Sequence, residues 1–136
     1  MIRAVLDTNI FVSALIFGGL PSQLVALGIE RKFQMLTSPI LLDELDEKLR
    51  TKFKTTPAQA DKIGSDLEAS CEVLSTTDHL TIIKDDPDDD RVLECAIAGR
   101  ADYIISGDRH LLKLGQFEGV VVLNVRQFLD IIEPTT

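Results

Sequence analysis

The chain has 136 residues, 45% of them hydrophobic, which suits one compact domain over residues 1–136 and is too apolar for a disordered segment. Its 22 acidic and 14 basic side chains leave a net charge of −8, which argues against a binder that grips nucleic acid through a uniformly basic surface. No apolar run reaches bilayer length, MIRAVLDTNI lacks the regions of a signal peptide, and Cys71 and Cys95 read as reduced, packed thiols, so a cytoplasmic protein without membrane contact is expected.

Residues 2–6 predict a short strand ending at Asp7, with Asn9 as cap of a helix through Leu15 that stops at Gly18-Gly19. Pro21 suits the first turn of a second helix through Leu24, Val25 and Leu27, and Phe33 to Leu36 predicts a strand. Ser38-Pro39 opens a helix as N-cap and first residue, with Leu41, Leu42, Leu45 and Leu49 as its apolar stripe. Thr56 to Gln59 matches a capping box for a further helix carrying Ile63 and Leu67 inward. Leu80 to Ile83 reads as a strand, followed by a run in which five of the six residues from Asp85 to Asp90 are Asp. A helix from about Asp89 to Ala98 then ends at Gly99 as its C′ residue. Tyr103 to Ser106 and Val120 to Leu123 predict the last strands, with a turn from Arg109 to Leu112 between them and a terminal helix capped by Asn124.

Short strands rich in Val, Ile and Leu alternate with helices, which predicts a three-layer α/β/α domain around a mainly parallel sheet. Ligands of such folds bind beyond the carboxyl ends of the strands. Asp7, Asp108 and the aspartate run all follow strands, so three acidic positions fall at one edge. Carboxylates gathered there cannot all stay ionised without a cation. An all-oxygen set suits Mg²⁺ or Mn²⁺, whereas zinc would recruit His or Cys, and His79 and His110 lack ligand spacing.

Each acid also has a plain structural reading. Asp7 and Asp108 sit where helix caps sit, and the aspartate run suits a helix N-terminus. Periodicity ranks the run: Val92, Leu93, Ala96 and Ile97 define the buried stripe, Asp89 falls near its centre, and Asp90 lies toward its flank. Asp89 is therefore preferred, with Asp90 in reserve. On the helix after Ser38, Glu44 and Asp46 flank the leucine stripe on opposite sides, and periodicity does not choose between them.

Asp7-Thr8-Asn9 after an opening strand, Glu44 within Ser38 to Leu45, the segment Asp86 to Ala96, and Tyr103 to Asp108 together resemble a PIN domain over nearly the whole chain. The likeness is greatest to the small VapC-like toxin ribonucleases of toxin–antitoxin pairs. That resemblance implies an endoribonuclease dependent on Mg²⁺ or Mn²⁺, leaving 5′-phosphate and 3′-hydroxyl ends. Carried over by position, its acidic quartet is Asp7, Glu44, Asp89 and Asp108, with Asp7, Asp89 and Asp108 toward the metal and Asn9, Asp90 and Ser106 in support. It also implies an RNA substrate, a cognate antitoxin and a homodimer.

Lys48, Arg50, Lys52 and Lys54, with Arg109, offer phosphate contacts, although a solvated helix end explains the first four equally well. The rival reading is a non-catalytic RNA- or protein-binding scaffold, which would usually have lost at least one acid. A phosphorylation-dependent signalling domain would want paired acids after the first strand and a lysine after a late one, and neither is present. Relief of repulsion predicts that Asp108→Asn stabilises the metal-free protein.

Overall fold

The computed structural model describes residues 1–76, 79–83 and 87–133. Asp85 and Asp86, two members of the aspartate run, lie outside the described residues. The elements in order are β1 (Arg3–Leu6), α1 (Thr8–Ile16), α2 (Gly19–Ile29), β2 (Gln34–Thr37), α3 (Pro39–Thr51), α4 (Pro57–Ser70) and β3 (Glu72–Val73). They continue with α5 (Pro87–Ala98), β4 (Tyr103–Ile105), α6 (Arg109–Leu114), β5 (Gln116–Phe117), β6 (Val120–Leu123) and α7 (Val125–Ile132). The sheet order is β3-β2-β1-β4-β6-β5, parallel throughout except that β5 runs antiparallel to β6.

Successive strand residues face opposite layers, as a pleated strand requires. Ala4, Leu6, Met35 and Ile105 pack with Ile10, Leu24, Leu45, Leu67 and Phe128 of the helices on one face. Val5, Leu36, Ile104 and Val122 pack with Val92, Leu93, Ala96 and Leu111 of α5 and α6 on the other. Leu6, Leu36, Leu93, Ile104 and Phe128 are essentially without exposure, and each such side chain contributes about 1.5–3 kcal/mol of transfer free energy. Both faces of the central strands are covered, so the expected three-layer α/β/α arrangement is the one observed. Among the described residues no single helix is long and apolar enough to cross a membrane.

The caps form largely as the sequence predicts. Ser38 Oγ accepts from the Leu41 amide, and Thr56 with Gln59 and Asn124 with Gln127 close complete capping boxes. Four expectations need correction. Asn9 lies inside α1, and Asp7 occupies the N-cap position. Gly99 is not the left-handed residue after α5; Arg100 is, at φ 51°, and the amides of Arg100 and Ala101 return to the carbonyls of Ile97 and Ala96 as in a Schellman motif. Gly99 is needed for close packing instead, since a Cβ there would collide with Leu74 and Leu36 side chains. Arg109 to Leu112 belongs to a helix, α6, rather than a turn.

The largest correction concerns Leu80 to Ile83, which is not a strand. The third parallel strand is Glu72–Val73, directly after α4, and it fills the sheet edge beside β2. Residues 80–83 run instead along α5, and their backbone groups bond to its side chains. A short apolar run bonded to something other than a sheet gives the same sequence signal as a strand.

Candidate active site

From β1 the chain builds outward through β2 and β3, then returns to place β4 and β6 on the other side of β1. The crevice at the carboxyl ends of β1 and β4 is therefore a topological switch point, where an open α/β sheet leaves room for a ligand. The Asp7 amide donates to the Ile105 carbonyl at 3.0 Å, which fixes the two strand ends against each other.

Asp7 sits at the N-cap of α1, yet its side chain makes no capping hydrogen bond. Its Oδ2 accepts from Ser106 Oγ at 2.8 Å, and Ser106 Oγ accepts from the Asp108 amide at 2.9 Å. Asp7, only 4% exposed, and Ser106 thus form a buried relay from β4 to β1. Burial raises the Asp7 pKa; the Ser106 bond, the Lys48 charge and the nearby Asn9 amide oppose that rise, and the Asp108 charge adds to it.

Asp108 does cap its helix: Oδ2 accepts from the amides of His110 and Leu111 at 2.9 and 3.1 Å. Its neighbour is the Asp89 carboxyl, in the first turn of α5, which acts to lower the Asp108 pKa. Burial pushes Asp108 up, but the neighbouring Asp89 carboxyl, the two capping amides and the His110 charge outweigh it and leave the pKa lowered. A lowered pKa favours the ionised form of Asp108 and argues against the expected gain in stability from Asp108→Asn.

Glu44 reaches the same crevice from α3. Thr8 Oγ1 lies 3.4 Å from Asp7 Oδ1 and 3.3 Å from Glu44 Oε1, so its single proton can go to either acid. Lys48, one turn beyond Glu44, does not extend toward solvent. Its Nζ donates to Glu44 Oε1 at 3.0 Å, Thr8 Oγ1 at 3.0 Å and Asn9 Oδ1 at 3.1 Å. Arg50 is engaged as well, on Asp46 at 2.9 Å and Asp61 at 2.6 Å. Of the basic group expected to meet phosphate, Lys52, Lys54 and Arg109 remain exposed.

Asp89 and Asp90 are both buried, at 5% and 2% exposure, but face different neighbours. Asp90 Oδ1 accepts from the amides of Ile82 and Ile83 at 3.1 and 2.9 Å. Glu94, one turn on, accepts from the Leu80 amide at 2.8 Å and pairs with Arg91 at 2.8 Å, while Arg91 donates to the Leu80 carbonyl at 3.1 Å. Asp90 is therefore bound to the backbone of residues 82–83, whereas Asp89 meets Asp108. Thr8, Glu94 and the inward Lys48 were not found by sequence reasoning. The spacings Glu44–Lys48 and Asp90–Glu94, each one helical turn, were the available signals.

The donor set is all oxygen, which fits a hard divalent ion. Among the described residues no three acidic, imidazole or thiol groups converge closely enough to ligate one ion directly. An ion that keeps several waters and takes one or two carboxylates, as Mg²⁺ does, remains compatible with that spacing.

The PIN domain family profile matches residues 3–110. An uncharacterized protein of Methanocaldococcus jannaschii is 32% identical over 119 residues, covering 83% of this chain and 75% of that protein. Among solved structures, the chain resembles VapBC2 from Rickettsia felis, bound to a DNA fragment from their promoter, with a TM-score of 0.63 and 17% identity over 90% of this chain and 98% of that one. It also resembles PAE2754 from Pyrobaculum aerophilum, with a TM-score of 0.62 and 14% identity over 99% and 91%. At these identities the structural likeness is one of fold.

Proposed function

Because the chain belongs to the PIN domain family, we propose that it is a metal-dependent endoribonuclease that hydrolyses RNA phosphodiester bonds. This reading is supported by the strand-end positions of Asp7 and Asp108, linked through Ser106, with Asp89 beside Asp108 and Glu44 sharing the Thr8 hydroxyl with Asp7. A bound Mg²⁺ or Mn²⁺ would lower the pKa of a coordinated water and offset charge gathering on the phosphate.

In this reading Asp7, Asp89 and Asp108 hold the ion, directly or through water, and Glu44 orients a water on the opposite wall. Ser106 donates to Asp7 Oδ2, so the carboxylate is oriented before any ligand arrives. Asp108 is aimed by its own helix cap. Asp89 stands beside Asp108, so a divalent ion there would offset the charge of both carboxylates. The exposed Lys52, Lys54 and Arg109 are left to meet RNA phosphates.

The same reading makes the protein the toxin of a toxin–antitoxin pair, acting in the cytoplasm. A protein partner, whether antitoxin or a second copy, is supported by the exposed apolar side chains of Leu15, Ile16, Phe17 and Ile29 on α1 and α2 and the α1–α2 link. The test is cleavage of a cellular RNA pool with and without Mn²⁺, with Asp7→Asn as control. Metal-dependent cleavage lost in the variant is expected; equal cleavage by both proteins overturns the assignment.

A further inference from the structure

An ammonium group has three N–H donors. All three of Lys48 are matched: Glu44 Oε1, Thr8 Oγ1 and Asn9 Oδ1 stand at 3.0, 3.0 and 3.1 Å from Nζ. The lysine side chain is 20% exposed and the Glu44 side chain 19%, so this contact is largely withdrawn from water. The three oxygens come from the start of α1 and from α3, the wall of the crevice opposite Asp89 and Asp108. They are the kind of donors a hard cation would use, and a positive charge already sits among them. By contrast, Asp89 and Asp108 are neighbouring carboxyls, the kind of pair a divalent ion can serve.

Metal nucleases commonly set two divalent ions side by side, one for the attacking and one for the leaving oxygen. A second ion on Glu44 would have to displace Lys48 or lie within a few ångströms of its charge. We propose that Lys48 is the permanent second cation of this centre, so that the protein binds a single divalent ion, on the side of Asp7, Asp89 and Asp108. This rests on the metal-dependent reading above. Lys48 then acts as a positioning residue: it holds Glu44 and Thr8 against Asp7 and excludes a second ion from their oxygens.

Counting ions tests this without reference to catalysis. Full-length protein stripped with EDTA is titrated with Mn²⁺, and bound ions are counted by calorimetry and by the loss of the free-ion EPR signal. Wild type and Lys48→Arg are expected to bind one ion, and Lys48→Met two, the second site tightening by about tenfold or more once the like charge is gone. Adding Glu44→Gln to Lys48→Met should remove the second site and return the count to one. Lys48→Gln, also uncharged, serves in place of Lys48→Met should the latter fail to fold, as judged by circular dichroism. Two ions in wild type, or one in both uncharged variants, overturns the proposal. One ion in wild type and two in Lys48→Met, with no RNA cleavage by either, would sink the nuclease reading and leave this inference standing. No ion bound by any variant would sink both.

Discussion

Two regions of the molecule bury carboxylates, and they treat them in opposite ways. At the carboxyl ends of β1 and β4, Asp7 and Asp108 face each other and Asp89, and burial is the largest influence on both. On the other flank of α5, Asp90 and Glu94 are as deeply buried as Asp7, but their oxygens accept backbone amides of residues 80–83. A buried acid whose lone pairs are filled by main-chain donors is a structural clamp; one that meets other acids is held ready for a cation. Sequence neighbours Asp89 and Asp90 fall on the two sides of that division because successive helical residues point about 100° apart.

The sharpest way to break the comparison is to exchange the two kinds of loss. In the crevice, Asp7→Asn and Asp108→Asn should each lower RNA cleavage by about 10³-fold or more with the fold retained, read as initial rates alongside circular dichroism. On the flank, Glu94→Gln should leave the cleavage rate per folded molecule near that of wild type. A strong loss of rate in Glu94→Gln would merge the two regions into one site.

Stability should show the reverse pattern. Asp90→Ala leaves the amides of Ile82 and Ile83 without their acceptor, at a cost of about 2–4 kcal/mol, measurable by urea unfolding. Asp7→Asn in EDTA should instead raise the melting temperature at neutral pH. The folded pKa of Asp7 is raised, so its contribution is fully present below the unfolded value of about 3.9 and is lost as pH rises through the folded value. The advantage of Asp7→Asn should therefore vanish in acid. Asp108 has the opposite sign: its lowered pKa contributes stability above the unfolded value that is lost as pH falls through the folded one, so Asp108→Ala should melt earlier near pH 7. Saturating Mn²⁺ should stabilise wild type by about 2.7 kcal/mol at a hundredfold excess over Kd and do less for Asp7→Asn, which a thermal scan with and without the ion would read.

The crevice was legible in the sequence because strand ends and periodic stripes are local signals. Val5-Leu6-Asp7 and Ile104-Ile105-Ser106 place their polar residues one step beyond buried strands, and Asp89 lies on the stripe of α5. The clamp on residues 80–83 was not legible, since Leu80 to Ile83 carries the apolar content of a strand while its hydrogen bonds go to side chains on α5. The strand that forms, Glu72–Val73, is two residues long and exposed, too short to leave a pattern. Lys48 was misread for a different reason. Three other basic residues follow it at alternate positions, and only the turn of α3 separates it from them by directing it at Glu44. Where Asp90 ends up also depends on residues 80–83, whose path no periodicity encodes.

The finest distinction between the regions lies at Ser106, whose hydroxyl does for Asp7 what main-chain amides do for Asp90. Removing it in Ser106→Ala leaves Asp7 Oδ2 without its donor and the Asp108 amide without its acceptor. Two partners are lost where one atom is deleted, yet the Asp108 amide is only part-buried, so water can replace part of what is removed. The expected destabilisation is about 1 kcal/mol. The more telling readout is acid–base behaviour. The Ser106 bond is the foremost influence lowering the Asp7 pKa against burial, so its loss should move that pKa upward. Cleavage that requires ionised Asp7 should then lose its acid limb at a higher pH in Ser106→Ala than in wild type, while Glu94→Gln keeps the wild-type profile. Identical acid limbs in Ser106→Ala and wild type would mean that Asp7 is ionised by something other than this relay, and the contrast between hydroxyl-held and amide-held carboxylates would lose its functional meaning.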